Sequence, residues 1–103
     1  MSQLEVVQIP CLSDNYGYLV HDSESKFTAS IDSPALDPIE EALRQNSWVL
    51  THIFNTHHHY DHTGANLELK KRWKCKIIGS AKDSDRIPGL DEGVNDQVFD
   101  QNL

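Results

Sequence analysis

Residues 48–64 read WVLTHIFNTHHHYDHTG. Trp48 to Phe54 is rich in β-branched and aromatic residues and predicts a strand. Residues 57–62 then hold four of the chain's six histidines together with Asp61. From Thr63 an apolar stripe of Ala65, Leu69 and Trp73 predicts a helix running to about Lys74. Metal-binding side chains are thus concentrated where a strand hands over to a helix. In an extended segment side chains alternate, so His57 and His59 point one way and His58 the other. Two imidazoles so spaced can grip one ion. Asp61 and His62 fall in the turn that opens the helix and can face the same cavity from another angle. Imidazole nitrogens with a carboxylate oxygen suit zinc, iron or manganese rather than calcium. Gly64 lets the backbone pass close to such a site. A histidine run can also be an adventitious metal-binding loop. The order His-x-His-x-Asp-His, between an apolar strand and a helix, is more specific than that.

Working outward, Leu4–Ile9, Tyr16–Val20 and Phe27–Ile31 are short strand candidates separated by turn residues, which predicts an antiparallel meander. Asp37 as N-cap, Pro38 at the first helical position and Glu40 completing a capping box predict a helix that ends near Gln45 or Asn46. Ile39, Ala42 and Leu43 share its apolar face. Cys75–Ile78 predicts another strand. After Gly79 the sequence is polar and turn-rich, a loop leading to a strand begun at Val98 and Phe99. The reading is one α+β domain over residues 1–103, cut short on its C-terminal side.

Composition narrows the function classes. A chain of 103 residues makes one domain with a modest core. A net charge of -7 argues against nucleic acid as a partner, since phosphate-backbone binders carry a basic surplus. The basic run from Lys70 to Lys74 reads as a solvated helix C-terminus, where cations complement the dipole. Cys11 and Cys75 form no CxxC pair and suggest buried free thiols in a reducing cytosol. No basic segment precedes an apolar run at the N-terminus, and no apolar stretch is long enough to span a membrane. The expectation is a cytoplasmic protein with no membrane partner. His21 and His52, placed in strands, read as structural residues, and His58 and Tyr60 as packing or supporting ones. Asp14 and Asp32 could either support metal ligands or shape turns.

The stretch THHHYDHTG resembles the HxHxDH signature of the metallo-β-lactamase fold superfamily, and within it the glyoxalase II (hydroxyacylglutathione hydrolase) family. Ile9–Val20 (IPCLSDNYGYLV), His62–Lys70 (HTGANLELK) and Asp85–Val94 (DRIPGLDEGV) are similar to that family too. The resemblance departs at Ile31–Pro34 (IDSP) and at Asn95–Phe99 (NDQVF), both in loops. It implies the N-terminal half of an αββα sandwich, a mainly antiparallel sheet with helices on one face and an apolar face left for the other half. It also implies two divalent metal ions, zinc first, with iron or manganese as alternatives. His57 and His59 would bind the first ion and Asp61 and His62 the second, with Asp61 also orienting the catalytic hydroxide. The implied reaction is hydrolysis of the thioester of S-(2-hydroxyacyl)glutathione, as in methylglyoxal detoxification, where S-lactoylglutathione gives glutathione and D-lactate. The small-molecule partner is then a glutathione thioester. The remaining metal ligands and the glutathione-contacting residues would lie in a C-terminal half, without which the chain is expected to be inactive and prone to associate. Two alternatives stand beside this reading: a mononuclear-iron persulfide dioxygenase of the same fold, and an inactive metal-binding fragment.

Overall fold

The computed structural model describes residues 4–11, 15–56 and 63–94. Among these, one sheet of six strands runs in chain order: β1 (Leu4–Cys11), β2 (Asn15–Asp22), β3 (Thr28–Ile31), β4 (His52–Phe54), β5 (Lys76–Ser80) and β6 (Glu92–Val94). Helix α1 (Leu36–Asn46) connects β3 to β4, and α2 (Asn66–Trp73) connects β4 to β5. A 3-10 turn, Ala81–Asp83, follows β5.

The α+β class is the one expected, and β1, β2 and β3 form the antiparallel meander. From β3 onward every pairing is parallel, so the sheet is mixed, with its longest pairing, β1 with β2, antiparallel. The reason lies in the connections. Tight turns reverse the chain, whereas α1 and α2 carry it back to the starting edge so that the next strand runs the same way.

Several boundaries differ from the sequence reading. Helix α1 begins at Leu36 with Ala35 as N-cap, and no side chain caps it. Asp37 therefore sits in the first turn, where its charge still complements the helix dipole. Pro38 occupies a first-turn position whose N–H would have had no intrahelical partner. Glu40 leans across to α2 instead of closing a capping box, with Oε1 3.6 Å from Arg72 Nε. Helix α2 begins at Asn66 rather than Thr63, and the Ala65 N–H ahead of it bonds to Ser33 O at 2.9 Å. Strand β4 is only His52–Phe54. Ahead of it the Thr51 hydroxyl takes a backbone's place, accepting from the Thr28 N–H at 3.0 Å and donating to Thr28 O at 2.8 Å. Strand β5 starts one residue late and extends to Ser80. Strand β6 was not expected, and Val98 and Phe99 lie outside the described residues.

The two faces of the sheet differ sharply. Ile9, Leu19, Ile53 and Ile77 share one buried cluster with Ile39, Ala42 and Leu43 of α1 and Leu69 of α2, so both helices cover the same face. Leu67, off the α2 stripe, is exposed. Leu4, Val6, Tyr16 and Tyr18 alternate onto the other face, where they are 69%, 64%, 52% and 37% exposed. His21 is structural, as expected: its Nδ1 lies 2.7 Å from Thr28 Oγ1 and its ring stacks on Trp48 at 4.5 Å. His52 stacks between Phe27 and Phe54 on the open face, and partial burial lowers its pKa, helped by Lys76. Cys11 and Cys75 are buried free thiols whose pKa burial pushes up. No helix among the described residues is long and apolar enough to cross a membrane.

Candidate metal centre

The proposed ligands His57, His59, Asp61 and His62, with their neighbours His58 and Tyr60, lie outside the described residues. Among the described residues no group of three or more His, Cys, Asp or Glu side chains could hold a metal ion. What the structure defines is the frame on either side of residues 57–62. That frame sits at the carboxyl ends of the parallel strands, the end of an open sheet where α/β proteins place their ligands.

The entry side is built by β3 and β4. Strand β3 stops at Ile31, and Asp32 turns into the left-handed region at φ 63°. Its N–H still reaches across to Phe54 O at 2.7 Å, and the Ser30 hydroxyl donates to its carbonyl at 2.6 Å. The turn swings the carboxylate towards the end of β4. Oδ1 accepts the Thr56 N–H at 2.7 Å and Oδ2 accepts the Thr56 hydroxyl, also at 2.7 Å. Bonds to an ionised carboxylate are about twice as strong as neutral ones. A charged, two-oxygen grip therefore falls on the residue immediately before His57. Asp14, the other carboxylate weighed from sequence, lies outside the described residues.

The exit side is a buried polar cluster. The Ser33 hydroxyl donates to Asn66 Oδ1, and Asn66 Nδ2 donates to Asn55 Oδ1 at 2.6 Å and to Pro88 O at 3.0 Å. The Asn55 N–H meanwhile continues the ladder to Ile78 O at 2.9 Å. Ser33, Asn55 and Asn66 are at most 1% exposed. Amides this deep are costly unless bonded, and here they bond one another across three elements and a loop. The start of α2 is thereby fixed to the ends of β3 and β4.

Sequence reasoning missed Ser33, Asn55, Thr56 and Asn66. One signal was legible: Asn66 stands three residues before Leu69 on the buried stripe of α2, where a polar residue needs a partner. The donor chemistry of residues 57–62 fits divalent zinc, iron or manganese. The frame fits it too, since both flanks of the segment are held by hydrogen bonds.

Comparison with known proteins places this frame in context. The model of the metallo-beta-lactamase superfamily matches residues 22–100. The hydroxyacylglutathione hydrolase of Rhizobium johnstonii is 50% identical over 96 residues, covering 93% of this chain and 38% of that protein. The hydroxyacylglutathione hydrolase of Methylococcus capsulatus is 50% identical over 93 residues, covering 90% and 36%. This chain thus spans less than two-fifths of the length of the curated relatives it matches. Among solved structures, the BLEG-1 B3 metallo-beta-lactamase superposes with a TM-score of 0.68 at 20% identity, over 77% of this chain and 38% of that one. ETHE1 from Myxococcus xanthus gives 0.61 at 29% identity, over 77% and 36%.

Proposed function

The chain belongs to the metallo-beta-lactamase superfamily, and from that premise we propose that it is the N-terminal portion of a hydroxyacylglutathione hydrolase. The substrate class is the thioester of an S-(2-hydroxyacyl)glutathione, with S-lactoylglutathione giving glutathione and D-lactate. The observation that carries the reading is the 50% identity, over 93% of this chain, to a protein of that name.

His57 and His59 would hold one divalent ion and Asp61 and His62 a second, with zinc the first choice and iron or manganese the others. When bound, such ions supply a nucleophile from water at neutral pH and polarise the thioester carbonyl. The work of this chain's own residues is positional. Asp32 fixes Thr56, and Ser33 with Asn55 and Asn66 fixes the start of α2, so the ligand segment is held at both ends. Asp61 would also orient the attacking hydroxide by accepting a hydrogen bond from it. The remaining ligands and the glutathione-binding surface would come from a C-terminal half. The exposed Leu4, Val6, Tyr16 and Tyr18 supply an apolar face for that half to cover.

Turnover tests this directly. The product of the complete reading frame, loaded with zinc, should release glutathione from S-lactoylglutathione. A chelator should abolish the release, and added zinc should restore it. His59→Ala should lower kcat/KM by more than about 100-fold. A zinc-loaded protein without thioesterase activity would defeat the assignment. Oxygen uptake on glutathione persulfide with one iron per chain would assign the dioxygenase reaction instead.

A further inference from the structure

We propose that a cavity at the far end of β3 from Asp32 binds a small monocarboxylate, received by His21 and Lys26. The cavity holds about 380 Å³ and is lined by His21, Lys26, Asn46, Ser47, Trp48 and Val49. Pockets that take small molecules begin at about 300 Å³. His21 stands opposite Thr28, the first residue of β3, so the cavity lies at the amino end of that strand. This site takes nothing from the metal reading.

The buried histidine supplies a fixed donor. His21 is only 6% exposed, and its ring stacks on Trp48 at 4.5 Å. Its Nδ1 lies 2.7 Å from Thr28 Oγ1. Thr28 is fully buried, and this nitrogen is the one acceptor its hydroxyl meets among the described residues. A buried hydroxyl proton needs an acceptor, so it goes to Nδ1, and the neutral ring carries its own proton on Nε2. Nε2 has no hydrogen-bond partner among the described residues. Nor is it sealed in, since the sealed side-chain atoms without a partner there are Glu40 Oε1 and Trp73 Nε1. The Nε2–H therefore opens on the cavity that His21 lines, and an acceptor must meet it.

Lys26 adds the charge. It sits at φ 66° with its N–H bonded to Asp22 O at 2.8 Å, which fixes its backbone at the cavity rim. The residue is exposed, and its ammonium pairs with no carboxylate among the described residues. Asp22 turns its oxygens into its own loop, accepting the Ser25 hydroxyl at 2.9 Å and the Glu24 N–H at 3.3 Å. The C-terminal end of α1 also borders the cavity, and a helix C-terminus repels anions. Here that field is blunted, because Ala42 O, Leu43 O and Arg44 O accept from Asn46 Nδ2, the Trp48 N–H and the Ser47 N–H. A neutral N–H beside one unpaired ammonium suits a carboxylate, whose single charge is matched. Phosphate would carry more charge than the site can balance. Trp48 and the exposed Val49 give the wall an apolar stretch, so the acid should have a short hydrocarbon body.

The test is proton–nitrogen NMR of the full chain, titrated with hexanoate, with its neutral analogue hexanamide and with inorganic phosphate. Trp73→Phe tells the two indole N–H signals apart. Hexanoate should shift the Trp48 signal saturably, in the millimolar range, and leave that of Trp73 in place. Hexanamide should bind at least about 10-fold more weakly, the loss expected for a hydrogen bond to a charged group. Lys26→Gln should weaken hexanoate binding to the same degree, with the rest of the spectrum unchanged because Lys26 is exposed. The ring nitrogens of His21 should show the proton on Nε2. An unmoved Trp48 signal, or equal shifts of both indoles, would overturn the site. Equal binding of hexanamide, full binding by Lys26→Gln, or tighter binding of phosphate would overturn the carboxylate assignment. A proton on Nδ1 would overturn the donor on which both rest.

Discussion

At Gly79, near the end of β5, a Cβ would lie 2.6 Å from Ile87 Cδ1 and 3.3 Å from Leu90 Cδ1. Ile87 is itself buried, so its side chain has little room to yield. Gly79→Ala should therefore destabilise the protein by about 1–3 kcal/mol, as overpacking does in a filled core. Ile87→Val removes the clashing methyl and alone should cost about 0.5–1.5 kcal/mol. Together the two should cost clearly less than their sum, because one relieves the other. Urea unfolding of the four proteins checks this, and simple additivity would refute the packing account. At this scale the sequence was legible only in part. The ligand set announced itself because histidines are rare and were clustered. Ser33 and Asn55 did not, because their partner Asn66 lies 33 and 11 positions away and common polar residues carry no mark of burial, while Asn66 gave only its place on the α2 stripe.

Both helices end on a residue other than glycine in the left-handed conformation, Ser47 at φ 56° and Lys74 at φ 55°. At the end of α1 the Ser47 N–H bonds to Arg44 O at 3.2 Å and the Trp48 N–H to Leu43 O at 3.0 Å. Glycine is the residue that takes this conformation without a Cβ penalty. Ser47 is exposed and little is lost with its side chain, so Ser47→Gly should stabilise the protein by up to about 1 kcal/mol. Thermal unfolding should show the midpoint rising by a few degrees, and a fall would mean the left-handed turn carries no strain. Element types and order were readable from β1 through β5, because apolar periodicity reports which face is buried. Helix starts were less readable. The helix expected to be capped by Asp37 starts two residues earlier, with Ala35 as N-cap, and Glu40 lies by Arg72 on the neighbouring helix. Strand β6 was invisible, since Glu92–Val94 is a strand through backbone pairing with β5 and not through its side chains. Asp91 assists that pairing by accepting from Lys70 Nζ at 2.7 Å and from the Ile77 N–H at 2.8 Å.

Taken whole, the molecule has one finished face and one open face. Four large hydrophobic or aromatic side chains, Leu4, Val6, Tyr16 and Tyr18, stand on the open face across the β1 edge of the sheet. Contiguous apolar surface of this kind drives association. The 103-residue chain should elute at a size that grows with concentration, and Leu4→Lys with Val6→Lys should shift it towards the monomer. A concentration-independent monomer would show that the face is tolerated in water. The expectation of an uncovered face came from family resemblance, but alternation in Leu4–Ile9 places its residues.

The sheet's order, in which each strand lies beside the next one in the chain, has a consequence for synthesis. Among the described residues no strand waits for a partner encoded far downstream, so pairing can begin while the polypeptide is still leaving the ribosome. By the time Val94 emerges, the pedestal for residues 57–62 can already stand. Later-made portions of a longer polypeptide would then meet a template, not a coil.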